Sequence, residues 1–149
     1  MSRTKHPDLD RRKGLYLKRV PRKGRGVFCR TAIRKGETLE VTPAVVLNDR
    51  ATTHADKTML QNYTFVVGDI SAQQRKRAGM KKKSEEASSV VFGILTFCNH
   101  DEEPNAEILW EEHGDTLYYI LKATRDIPKN TEICTTYGPG WFADRNMKK

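Results

Sequence analysis

The sequence predicts a mainly β domain of short strands and small sheets with few short helices, and three observations lead there. Runs of about four to eight β-branched, aromatic and other apolar residues recur between clusters of Gly, Pro, Asn and Asp, as in strands joined by tight turns. No helical segments of roughly 10 to 15 residues alternate with those runs, which argues against a doubly wound α/β fold. The third observation is a polar knot. In "FGILTFCNHDEEPNAEI", from Phe92 to Ile108, an Asn-His-acid-Pro-Asn segment interrupts two stretches that read as core.

Taken in order, residues 1–14, "MSRTKHPDLDRRKG", are charged and aperiodic and are expected to form a loosely packed basic arm. Order is expected from Leu15, where "LYLKRV" reads as a strand and "PRKGRGVF" as a Pro and Gly turn into a second one. Two later segments, "AIRKGETLEV" from Ala32 and "DIPKNTEICT" from Asp126, share an Ile, a Lys two residues on, and then Gly36 or Asn130. Gly and Asn enter the left-handed conformation most readily, so both segments are expected to make the same tight turn into a strand. One such pair is too few for a solenoid.

Asp49 to Asn62 has helical character and "YTFVV" from Tyr63 reads as a strand, whereas residues 68–89, with "QQRKR" and "MKKKSEE", read as a polar surface insertion. In "AEILWEEHGDTLYYILKA" two strands are expected around His113 to Asp115, with Gly114 in the turn. The domain is thus expected to span residues 15–142, followed by a tail at 143–149.

The 27 Lys and Arg against 19 Asp and Glu give a formal charge of +8, which attracts polyanions and equally suits a soluble, self-repelling surface. Cys29, Cys98 and Cys134 lie far apart without C-x-x-C spacing, so neither a disulfide framework nor a dedicated zinc site is indicated. Without a leader-like segment, the chain reads as intracellular, cytoplasmic or nuclear. No apolar run approaches the roughly 20 residues of a membrane-spanning helix.

Three short stretches carry polar residues suited to chemistry: "KGRGVF" from Lys23, "NHDEEPN" from Asn99 and "TEICTTYG" from Thr131. Each alone is ordinary. In combination and order they resemble the SET-domain protein lysine methyltransferases, whose pattern is a G-x-G turn, an R-F-x-N-H-x-x-x-P-N core motif and a terminal G-E-E-L-x-x-x-Y. The matching residues are Gly24 and Gly26; Phe97, Asn99, His100, Pro104 and Asn105; then Glu132, Ile133 and Tyr137. Asp101 and Glu102 stand where many members have Ser and Cys, and no C-x-C follows Tyr137. The resemblance therefore implies the compact type without the zinc-binding cysteines.

It further implies a knot-like crossing in which the terminal strand passes the Asn-His segment, with Asn side chains satisfying the crossing chain. The cofactor implied is S-adenosyl-L-methionine, held by Lys23, Gly24, Arg25, Gly26, Asn99, His100, Tyr137 and Trp141. Tyr137 is the implied catalytic residue, orienting a lysine amine. Tyr63 and Phe142 are expected to line the substrate channel, and no metal is expected. The implied partner is a lysine-containing protein, with histone and ribosomal proteins as the candidates, and Asp101, Glu102 and Glu103 are placed to attract a basic peptide. A competing reading is a catalytically idle basic module, in which Arg11, Arg12, Lys13 and the Arg75 to Lys83 cluster bind nucleic acid.

Overall fold

The structure, a computed structural model, describes residues 9–81 and 86–138. Ten strands are found among them: β1 (Asp10–Arg11), β2 (Leu15–Val20), β3 (Gly24–Cys29), β4 (Thr38–Leu47), β5 (Thr64–Gly68), β6 (Glu86–Val91), β7 (Asn99–His100), β8 (Ala106–His113), β9 (Thr116–Ala123) and β10 (Glu132–Thr135). Helices α1 (Asp49–Ala55) and α2 (Ala72–Arg77) are short, as are two 3-10 helices at Met59–Asn62 and Ile94–Phe97. The mainly β reading stands.

The larger sheet runs β5-β6-β4-β9-β8, with β1 pairing β4 beside it. Its centre is β4, whose ten residues are longer than the strand expected after Gly36. The β8–β9 hairpin forms around the turn at Gly114 as expected, with Ala106 opposite Ala123 and His113 opposite Thr116. The smaller sheet runs β2-β3-β10-β7. Here β10 lies antiparallel to β3 and parallel to β7, so the last strand is inserted between two earlier ones.

The two similar segments make the same turn. Gly36 and Asn130 both adopt positive φ, at 86° and 59°, and Ile33 and Ile127 bridge each other antiparallel. Both isoleucines are buried, which explains why each segment keeps one at that position.

Two expectations are corrected. Ordered structure precedes Leu15: Asp10 and Arg11 pair with Val41 and Glu40, and Arg12 bonds to Glu37, Thr31 Oγ1 and the Ala32 carbonyl. The polar insertion is also shorter than expected, because Glu86 to Ser89 belong to β6, a strand between β5 and β4. Ser89 is fully buried there, with its hydroxyl bonded to the Phe65 carbonyl at 3.0 Å and sharing a 2.7 Å bond with Tyr119. A paired hydroxyl is tolerated in a core.

The core joins both sheets, with Val27, Cys29 and Ile133 of the smaller one packed in a cluster with Leu117, Tyr119 and Leu121 of the larger. One acid is buried among them. Glu40, 5% exposed, accepts hydrogen bonds from the backbone N–H groups of Ile94 (3.0 Å) and Leu95 (2.8 Å). Gly93 offers that 3-10 helix no side-chain cap, so the carboxylate arrives from β4 instead. A Cβ on Gly93 would lie 2.7 Å from a Glu40 oxygen, and glycine is what lets the acid approach. Glu40→Ala would orphan two buried donors and should cost about 2 to 5 kcal/mol, read as a lower denaturant midpoint. A midpoint within experimental error of the parent would remove this role.

Candidate active site

The polar knot is where the two halves of the small sheet meet. After the second 3-10 helix, Cys98 leads into β7, and Asn99 and His100 lie opposite Cys134 and Thr135 of β10. Asn99 Nδ2 donates to the Glu132 carboxylate at 2.7 Å and to the Arg25 carbonyl at 3.2 Å, tying β7 to β10 and β3. Asn105 clamps the same strand from the other end of the loop: its Nδ2 donates to the Glu132 carbonyl (2.8 Å) and its Oδ1 accepts from Cys134 N–H (2.9 Å). Both asparagines are buried, so the crossing chain has partners that water would otherwise supply.

Gly26 is fixed by this contact. A Cβ there would overlap the Glu132 carboxylate and come within 2.9 Å of Asn99 Nδ2. Gly24 differs, because its φ of +80° demands glycine while the space beside it is open. The turn's Lys23 reaches across to donate to the His100 carbonyl at 3.3 Å.

Tyr137 stands at the end of this arrangement. Its hydroxyl donates to the Cys98 carbonyl at 2.9 Å, its N–H donates to His100 Nδ1 at 3.1 Å, and the two rings lie 5.5 Å apart. An accepting Nδ1 leaves the His100 proton on Nε2, which lies 3.5 Å from the Glu102 carboxylate. Thr136 accepts a hydrogen bond on its hydroxyl from the Gly138 N–H at 3.2 Å.

Burial, reinforced by Cys98, Cys134, Tyr63 and Glu132, pushes the Tyr137 phenol up to about 12. Burial likewise raises Cys98, and raises Cys134 to about 11. At neutral pH the phenol and both thiols keep their protons, so the site presents hydrogen-bonding groups and no thiolate nucleophile.

An aromatic wall adjoins Tyr137. Tyr63 packs edge-on to Phe97 at 6.1 Å, and the Arg25 guanidinium lies over the Phe97 ring, 5.3 Å from its centroid. Lys23, Gly24, Arg25, Gly26, Asn99, His100, Tyr63 and Tyr137 are thus brought to one region by three strands and the loops that leave them. Trp141 and Phe142 lie outside the described residues. Sequence reasoning missed Glu40, which sets the 3-10 helix before Cys98. Its signal in the sequence is slight, because its partners lie 54 and 55 residues away.

The SET domain family matches residues 24–138, most of the chain, and the protein belongs to that family. It is 28% identical over 135 residues to a Schizosaccharomyces pombe histone-lysine N-methyltransferase named as H3 lysine-37 specific, covering 89% of this chain and 80% of that protein. It is also 29% identical over 79 residues to the Gibberella zeae histone-lysine N-methyltransferase SET9, covering 53% of this chain and 12% of that longer protein. Among solved structures, the Neurospora SET domain protein DIM-5, a histone lysine methyltransferase, shares the fold with a TM-score of 0.61 at 21% identity, over 83% of this chain and 52% of that one. A Plasmodium falciparum crystal structure does so at 0.59 and 21%, over 88% and 98%.

Proposed function

We propose that this domain transfers a methyl group from S-adenosyl-L-methionine to the ε-amine of a lysine in a histone. The observation that carries the proposal is the Tyr137 hydroxyl, pinned on the Cys98 carbonyl beside the Lys23–Gly26 turn and the Asn99–His100 segment. Family membership and the two relatives named as histone-lysine methyltransferases support the reaction class and the substrate. The exposed acids Asp101, Glu102 and Glu103 beside the site suit a basic peptide.

The residues present fit the cofactor. Lys23 offers an ammonium to its carboxylate, the side-chain-free Gly24 leaves open space for its approach, and the Asn99–His100 backbone offers polar groups to its adenine. When bound, the cofactor supplies a methyl group on a positively charged sulfur, ready for in-line attack by an amine.

The protein's task is alignment and a neutral amine. Deprotonating a lysine of ordinary pKa near 10.4 at pH 7 costs about 4 to 5 kcal/mol. The wall of Tyr63 and Phe97 desolvates the ammonium and lowers that cost. Because the Tyr137 proton is committed to the Cys98 carbonyl, the phenol oxygen keeps lone pairs to accept an amine N–H and aim the nitrogen. A phenol at about 12 stays neutral, so Tyr137 orients and does not abstract. The rate should therefore rise with pH as the substrate amine deprotonates, and Tyr137→Phe should keep that rising limb.

The reading is tested by incubating the protein with methyl-labelled cofactor and separate pools of histones, ribosomal proteins and acidic proteins, then mapping the label. Labelled lysine in the histone pool is expected. Cofactor binding without transfer to any pool would instead support the idle basic module, against which the assembled Asn99, His100 and Tyr137 count.

A further inference from the structure

We infer that the β2–β3 hairpin is a docking strip for the phosphate backbone of duplex nucleic acid, set next to the methyl-transfer site. Residues 15–29 hold five cations, Lys18, Arg19, Arg22, Lys23 and Arg25, and no acid. This cluster is distinct from the two that the sequence draws attention to. In those, Arg12 is bonded to Glu37, Thr31 and Ala32, Arg75 to the Ile70 carbonyl, and Arg77 to Asp115. Among the described residues, Arg19 and Arg22 make no such bond.

Three features of the hairpin make little sense for folding alone. Arg19 lies directly opposite Arg25, a cross-strand pairing of like charges that weakens a sheet. Arg22 has a φ of 67° in the turn closed by Lys23 N–H on the Val20 carbonyl, a position that favours Gly or Asn. The strip also continues past the hairpin's base, where a groove is lined by Arg12, Lys13, Gly14, Arg30 and Thr31. Cations on an edge strand do prevent unwanted pairing, but a single lysine suffices for that. A polyanion laid along the strip would relieve the repulsion and engage Lys18, Arg19 and Arg22, while Lys23 and Arg25 turn to the adjoining site.

Duplex is favoured over single strand because the hairpin's rings are already covered. Tyr16 lies under Arg30 at 4.4 Å and Phe28 under Lys18 at 5.3 Å, leaving no open platform for base stacking. Six strand residues span about 20 Å, roughly six base pairs of backbone. At the tip, Lys23 touches the His100 carbonyl, and the exposed acidic turn at 101–103 follows at once. One face thus suits a polyanion and the adjoining one a basic peptide. A basic protein already bound to nucleic acid presents both. That last step rests on the methyltransferase reading; nucleic acid binding by the strip does not.

The test is fluorescence anisotropy with a mixed-sequence 20-base-pair DNA, a length of about three times the footprint, between about 50 and 200 mM salt. The intact protein should show a slope of log affinity against log salt of about −3, from three phosphates at about 0.9 each. Lys18→Gln/Arg19→Gln/Arg22→Gln should make that slope shallower by about 3 and lower the low-salt affinity at least about 30-fold, while kcat and KM on a free basic peptide stay within about twofold. Arg19→Gln alone removes the like-charge pair, so it should weaken DNA binding while its unfolding midpoint holds or rises, which separates docking from damage to the fold. Arg75→Gln/Arg77→Gln should leave DNA affinity unchanged. DNA affinity unchanged in the triple variant, loss in the Arg75/Arg77 variant alone, or tighter binding to phosphatidylserine vesicles than to DNA would each overturn the assignment. Loss of peptide methylation with DNA binding intact would count against the proposed reaction and leave the strip standing.

Discussion

Asn105→Ala is expected to lower the unfolding midpoint by about 10 °C and to abolish tight cofactor binding. The side chain serves two backbone groups of β10, donating to the Glu132 carbonyl and accepting from Cys134 N–H. Alanine would leave a buried carbonyl and a buried N–H without partners, at about 1 to 3 kcal/mol each. For a domain of this size each kcal/mol moves the midpoint by about 2 to 4 °C. Asn105→Asp separates the two bonds: it keeps the acceptor for Cys134 N–H but loses the donor to Glu132 and adds a buried charge, so it should be at least as damaging. Cofactor affinity should fall with either variant because β10 also sets Tyr137 against His100. Calorimetry would read both effects, and an alanine variant within about 2 °C of the parent would show that the crossing strand is held by other contacts.

What the sequence made legible follows the range of each interaction. The β8–β9 hairpin and the turns at Gly36 and Asn130 were readable because their causes are local: alternation, a tight turn, a residue that tolerates positive φ. The candidate site was readable because its polar residues sit in three compact stretches in a fixed order. Glu40 was not. Between Leu39 and Val41 it looks like the solvent-facing member of an alternating strand, and its burial depends on Gly93 and two N–H groups more than 50 residues away. Ser88 and Ser89 misled in the same manner, since "EASSVV" lacks the large side chains that announce a strand, and its burial rests on neighbours β4 and β5. The pairing of Asp10 and Arg11 is held by backbone bonds and by Arg12, none of which leaves a hydropathy signal.

Tyr137→Phe removes one oxygen and keeps the ring, and the turnover number should fall by roughly 10-fold or more, at least about 1.4 kcal/mol of transition-state stabilisation. Cofactor affinity should stay within about twofold, because the Tyr137 N–H to His100 and the contact between the two tilted rings survive the change. Some stability is lost in any case: the bond to the Cys98 carbonyl goes, at about 1 kcal/mol, or about 2 to 4 °C in the midpoint. Stability and turnover must therefore be measured on the same folded material. A packing tyrosine would show the small drop in midpoint with unchanged turnover per folded molecule, and that result would remove Tyr137 from the reaction. The pH profile divides the remaining possibilities. With the phenol at about 12, neither the parent nor the variant should show a Tyr137 ionisation below that pH, and both should keep the rise set by the substrate amine. A rising limb lost in the phenylalanine variant would make the phenol a base after all. A change confined to the number of methyl groups added would keep the hydroxyl beside the amine but relieve it of the orienting role.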